Sequence, residues 1–152
     1  MRAVLQRVSQ AYVEADGRIT GRIGRGLLVL LGVGKQDTSN DVDWMADKIV
    51  GLRIFADEND RMNLSVADIR GGILLISQFT LYGNCRKGKR PSFDAAADPE
   101  TANRLYEYAI QRIGATGVDV QTGIFAASMQ ITCTNEGPVT LIIDSKTPGS
   151  VG

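Results

Sequence analysis

The first third of the chain is written in two hydrophobic patterns. "AVLQRVSQAYVEA" (3–15) mixes apolar and polar positions and runs into Asp16-Gly17, a pair that favours a two-residue hairpin turn. "RITGRIG" (18–24) starts the return, and "LLVLLGVG" (27–34) follows with six strand-formers or leucines and no polar alternation. Such a run predicts a strand covered on both faces. The period then lengthens. Val42, Met45, Ala46, Ile49 and Val50 recur at helical spacing, after Thr38 or Ser39 as N-cap and with Asp41 and Asp43 at the positive end of the dipole. "LRIFA" (52–56) reads as a short strand, and "DENDRMNLSVADIRGG" (57–72) as a polar excursion with little regular structure.

"GILLISQFTLYG" (72–83) predicts the next buried strand, followed by the basic loop "NCRKGKRPSF" (84–93). Asp98-Pro99-Glu100 is a strong helix start, with a cap, a proline at the first position and an acid in the first turn. Ala102, Leu105, Tyr106, Ala109, Ile110 and Ile113 form its apolar stripe, and Gly114 suits its end. "VDVQTGIFAASMQITCT" (118–134) and "VTLIIDS" (139–145) finish as strands, with Asn135, Gly137 and Pro138 as the hairpin corner between them. No linker or repeat interrupts the chain, so these elements predict one α/β domain over 1–145 and a loose tail over 146–152.

Composition narrows the chemistry. With 152 residues, 43% hydrophobic and 22% charged, the chain is an ordinary globular length and make-up. Net charge is zero, so any contact with nucleic acid must come from a local patch. No apolar run reaches the ~18 residues of a membrane span, and the start does not read as a signal peptide. Cys85 and Cys133 form neither a CxxC nor a disulfide framework, a usage that fits a reducing cytosol. The sharpest constraint is the absence of histidine. It removes Ser-His-Asp and Cys-His catalysis, the HExxH zinc site and the usual near-neutral base. No metal site and no cofactor is expected.

Three motif matches fail. "GVGK" (32–35) lacks the upstream glycine and the Ser/Thr of a phosphate loop, "GRIGRG" (21–26) has the wrong spacing, and "DENDRMN" (57–63) has Met62 where a calcium loop needs glycine. "SQFT" (77–80) survives, because three polar residues interrupt a buried strand at its carboxyl end, where α/β folds place sites. Strand alternation would put Ser77 and Phe79 on one face, and Gln78 and Thr80 on the other. The plainer alternative is a strand emerging into solvent. Arg86, Lys87, Lys89 and Arg90 put four cations in five residues, either as a solvated loop or as a phosphate-binding patch.

In order, "MRAVLQRVSQA", "GLLVLLGVG", "SQFTLYG", "RPSF" and "NEGPVT" resemble the D-aminoacyl-tRNA deacylase family from Met1 to about Asp144. The resemblance implies a three-layer β/β/α arrangement of two mostly mixed or antiparallel sheets with two main helices. It also implies a cytoplasmic, homodimeric, tRNA-binding hydrolase with no affinity for membrane or DNA. Ser77, Gln78, Phe79 and Thr80 would line the catalytic pocket, with backbone N–H groups near Phe79 and Thr80 holding the ester. Gly137 and Pro138, joined by a cis bond and braced by Arg7, would enter the partner subunit's pocket and exclude L-aminoacyl groups. Ala102, Phe125 and Met129 would border the substrate. Glycyl-tRNA, including glycine mischarged on the alanine tRNA, would also be accepted, and the ribose 2′-OH would assist the chemistry. A catalytically silent tRNA-end binding module and a Thr80-nucleophile esterase are the competing readings.

Overall fold

The structure is a computed structural model that describes residues 1–146. Its organising element is β1 (Arg2–Ala15), which pairs along both edges. At Asp16-Gly17, where both residues have positive φ, the chain turns in two residues into β2 (Arg18–Ile23), with Ala15 opposite Arg18. This is the mirror-image turn that matches strand twist. β3 (Gly26–Gly32) lies antiparallel to the first half of β1, from Arg2↔Gly32 to Val8↔Gly26. β6 (Gly72–Ser77) and β7 (Asp119–Thr122) extend the sheet in parallel from β3. The other edge of β1 is covered by β8 (Met129–Asp144), antiparallel from Arg2↔Asp144 to Ala15↔Met129.

Two helices make the parallel crossovers. α1 (Ser39–Gly51) links β3 towards β6 and is capped at Thr38, whose N–H donates to Asp41 Oδ2 at 2.8 Å. α2 (Pro99–Gly114) links β6 to β7, and Asp98 accepts from the Thr101 N–H at 2.9 Å. The expected stripes are the buried ones, led by Val42, Met45, Ala46 and Ile49 on α1 and Leu105, Tyr106, Ala109 and Ile113 on α2. β4 (Phe55–Ala56) and β5 (Met62–Leu64) form a separate two-stranded ribbon, so the polar excursion holds one short strand.

The molecule is a single α/β domain with a mixed six-stranded sheet, a second small sheet and two helices. Both faces of β3 and β6 are buried, as their unbroken apolar runs predict. Leu27, Val29, Leu31, Ile73 and Leu75 meet the helices. Leu28, Leu74 and Ile76 face a second cluster with Val8, Val13 and Ile23. The sheet closes over that second cluster by bringing β2 against β7. Gly21 permits this approach, since a Cβ there would lie 2.6 Å from the Thr122 carbonyl oxygen.

Two expectations about the last strands change. "VDVQTGIFAASMQITCT" is not one strand, because β7 ends at Thr122 and the chain leaves the sheet until Met129. Nor is "NEGPV" a hairpin corner. β8 runs on both sides of it, and both halves pair with β1. Between Gln6↔Thr140 and Val8↔Asn135, β1 contributes only Arg7 while β8 contributes Glu136 to Val139, which are expelled as a bulge. A bulge and a turn need the same residue types, Gly and Pro, so local composition does not tell them apart.

The end of β8 is tied to the chain start. The Met1 ammonium, fully buried, donates to Asp37 Oδ1 and Ser145 Oγ, both at 2.7 Å. Ser145 Oγ donates to Asp41 Oδ1 at 2.6 Å, and Lys146 Nζ pairs with Asp41 Oδ2 at 2.9 Å. From Thr147 the expected tail lies outside the described residues.

Candidate active site

The site grows from the carboxyl end of β6. The strand stops at Ser77, and Gln78 (φ −144°, ψ 80°) swings the chain into a 3-10 turn, Phe79–Tyr82. Alternation therefore ends where it was expected to continue. Ser77, Gln78 and Phe79 all face one pocket, and Thr80 is not in its lining. The Thr80 hydroxyl instead pairs with the Gln78 carboxamide. Gln78 N–H donates to the Leu31 carbonyl at 2.8 Å, which fixes the turn to β3. The N–H groups of Phe79 and Thr80, first in the turn, donate to no acceptor among the described residues.

The pocket has a volume of about 460 Å³, within the range of small-ligand sites. Its opposite wall exists because β7 departs from the sheet at Gly123. The segment that follows, with Ala126 in the left-handed region (φ 60°), brings Phe125, Ala126, Ala127 and Met129 over the cavity. Ala102 from α2 closes a third side. The structure thus brings together Ser77, Gln78, Phe79, Ala102, Phe125 and Met129, six of the residues expected there.

Tyr106 was legible only as part of the apolar stripe of α2, yet it forms the floor. Its ring lies 6.0 Å from that of Phe125, tilted by 38°, and its hydroxyl donates to the Leu75 carbonyl at 2.7 Å. Leu75 is the last residue of β6 paired with β7, so this bond sits where the sheet opens. Burial pushes the Tyr106 phenol up to about 12. Tyr106 is also the one ionisable side chain among the described residues lining the cavity. The pocket therefore offers the Ser77 hydroxyl and the Gln78 amide on an apolar surface, with the free N–H groups of Phe79 and Thr80 in the adjoining turn, and no group that exchanges a proton near neutral pH.

The remaining expected residues lie elsewhere. Arg86, Lys87, Lys89 and Arg90 are exposed on a loop closed at its neck by pairing of Asn84 with Ser92, outside the lining. The loop nevertheless springs from the pocket edge, since the Phe93 ring stands edge-on to Phe79 at 5.1 Å. Arg7, Gly137 and Pro138 are also outside the pocket of their own chain. Arg7 Nη1 donates to the Ile54 carbonyl at 2.6 Å and Nε to the Glu136 carbonyl at 3.0 Å, so it does brace the bulge. The Gly137-Pro138 bond is cis. Gly137 has φ +138°, and a Cβ there would meet Val139 Cγ2 at 2.8 Å and Arg7 Nη2 at 3.1 Å, which leaves room for glycine alone.

Comparison with known proteins bears on the family of the chain. The family described as D-Tyr-tRNA(Tyr) deacylase matches residues 4–144. The D-aminoacyl-tRNA deacylase of Koribacter versatilis (strain Ellin345) is 59% identical over 146 residues, covering 96% of this chain and 98% of that protein. That of Geobacter sulfurreducens (strain ATCC 51573 / DSM 12127 / PCA) is 55% identical over 150 residues, covering 99% of each. Among solved structures, the c-Myc DNA Unwinding Element Binding Protein superposes with a TM-score of 0.91 at 38% identity, covering 97% of this chain and 100% of that one. A probable eukaryotic D-amino acid tRNA deacylase shares the fold, with a TM-score of 0.81 at 19% identity over 93% of this chain and 97% of that one. A match over nearly the whole chain, together with the pocket at the end of β6, means that the chain belongs to the D-Tyr-tRNA(Tyr) deacylase family.

Proposed function

We propose that this pocket hydrolyses the ester joining a D-amino acid to the 3′ adenosine of tRNA, releasing both. The observation that carries the reading is a small-ligand-sized cavity beside a turn whose first N–H groups are free among the described residues, with no side chain in its lining that titrates near neutral pH. In such a site, water attacks the acyl carbon, the bond from that carbon to O3′ breaks, and the proton passes to O3′. The neighbouring ribose 2′-OH is the group at hand to relay it. The N–H groups of Phe79 and Thr80 stabilise the charge that develops on the carbonyl oxygen, a contribution of roughly 2.7–4 kcal/mol per well-placed donor. The rest of the acceleration comes from orientation. Phe125 and Met129 supply apolar surface for the adenine, and the cations from Arg86 to Arg90 meet the phosphates behind it.

Selection against L-aminoacyl groups falls to the bulge at Gly137 and Pro138. Glu136 to Val139 lie outside the pocket of their own chain; in this reading the bulge acts on the pocket of a second copy, and the working enzyme is a homodimer. A gate built of backbone ignores side-chain identity and reads only handedness. Glycine, which has none, passes, so glycyl-tRNA, including glycine mischarged on the alanine tRNA, is a second substrate.

Incubation of the purified protein with D-Tyr-tRNA and L-Tyr-tRNA tests the reading, with release from the D form alone expected. Equal release from both, or from neither, would sink it. Hydrolysis of small acyl esters without RNA would favour the Thr80 esterase. Thr80→Ala should keep most of the activity, since the hydroxyl faces Gln78 and has no base beside it.

A further inference from the structure

The bulge that interrupts β8 has an internal clasp. Four residues leave the ladder opposite Arg7, and their ends must be held together for the strand to resume in register. Asn135, the last paired residue before the bulge, does this with its side chain. Its Oδ1 accepts from the Val139 N–H at 2.8 Å, and its Nδ2 donates to the Val139 carbonyl and to Thr140 Oγ1, both at 3.1 Å. The carboxamide thus replaces, on both sides, the peptide that a regular strand would offer Val139. Acceptor faces donor and donor faces acceptor, so the amide orientation is fixed by its partners.

We propose that Asn135 is a positioning residue that determines stereochemical specificity, acting through the carbonyls of Gly137 and Pro138. Arg7 holds the outer shoulder of the bulge at Glu136. Asn135 sets the width of its neck, and with it the direction in which the tip projects. The inference rests on the gate reading above. A backbone gate works only if its carbonyls stay within a few tenths of an ångström of their place, because L and D substrates differ by the position of one substituent.

The discriminating quantity is the ratio of kcat/KM for D-Tyr-tRNA to that for L-Tyr-tRNA. Loss of folded protein lowers both alike and leaves the ratio unchanged, whereas a displaced gate changes it. Asn135→Ala removes all three bonds and should lower the ratio at least about tenfold, mainly by raising turnover of the L substrate. Asn135→Asp keeps the acceptor for the Val139 N–H but sets a carboxylate oxygen against the Val139 carbonyl, so a fall in the ratio comparable to that of Asn135→Ala is expected. Pro138→Gly, which alters the tip directly, is the reference. If Pro138→Gly lowers the ratio and both folded Asn135 variants leave it at the wild-type value, the clasp plays no part and the proposal is overturned. If Pro138→Gly also leaves it unchanged, the gate reading itself fails and takes the proposal with it.

Discussion

Tyr106→Phe separates the structural from the chemical role of the one titratable group in the pocket. Tyr106 is 4% exposed, and its hydroxyl meets the Leu75 carbonyl at 2.7 Å. Phenylalanine fills the same space, so the ring still supports Phe125 and no cavity opens. What is lost is one buried hydrogen bond, and the carbonyl is left without its donor. That costs about 1–3 kcal/mol. In a domain of this size each kcal/mol moves the melting temperature by ~2–4 °C, so a central value near 2 kcal/mol predicts a fall of roughly 4–8 °C. Catalysis should barely respond, because a phenol held near 12 and already donating to the backbone is neither a base nor a free acid at neutral pH. Thermal denaturation and single-turnover deacylation of D-Tyr-tRNA measure the two effects. A hundredfold loss of rate with an unchanged melting temperature would refute the assignment and make Tyr106 part of the reaction.

Three further outcomes are expected. Replacing Arg86, Lys87, Lys89 and Arg90 by glutamine should raise KM for aminoacyl-tRNA and flatten its dependence on salt while leaving kcat nearly unchanged; steady-state kinetics between about 50 and 200 mM salt would read both. Gly137→Ala should relax rejection of L-Tyr-tRNA or cost about 1–3 kcal/mol of stability in chemical denaturation, because alanine is strained at φ +138° and its Cβ meets Val139 and Arg7. At Asp41, burial acts to raise the carboxyl, but donation from Ser145, Lys146 and the Thr38 N–H outweighs it and holds the group below the usual carboxylate range. The stability this contributes is present above the unfolded value of ~3.9 and is lost as pH falls towards the folded value. Urea titrations should show stability declining below about pH 4, more shallowly in Asp41→Asn; a parallel decline in the two would rule the pairing out as a source.

Elements with local causes were legible in the chain. Asp98-Pro99 starts α2 because both residues act within one turn, and Asp16-Gly17 turns β1 into β2 because its φ values are local. The unbroken run of β3 told of burial on both faces without saying what lay there. Non-local choices were not legible. Whether "NEGPV" turns the chain or bulges from a strand is decided by β1, which lies more than a hundred positions earlier and holds both flanks, Gln6 against Thr140 and Val8 against Asn135. At "SQFT" the alternation failed because a 3-10 turn begins at Phe79, and nothing in Phe-Thr-Leu-Tyr announces it. Ser77, Gln78, Phe79, Phe125 and Met129 were placed in one site by family resemblance, not by periodicity. Tyr106 escaped because a helix stripe marks its residues as core and is silent on whether that core borders a cavity.

The continuity of β8 through its bulge has a consequence for how the protein fails. Cys133 and Leu141, on either side of the bulge, are paired with Ala11 and Leu5 in the middle of the longest ladder of the sheet. β8 nevertheless pairs with β1 alone and holds no fully buried residue, so amide hydrogens there should exchange with solvent before those of the core strands β3 and β6. Warming should then loosen the bulge while the core still stands, so that accuracy is lost at a lower temperature than structure.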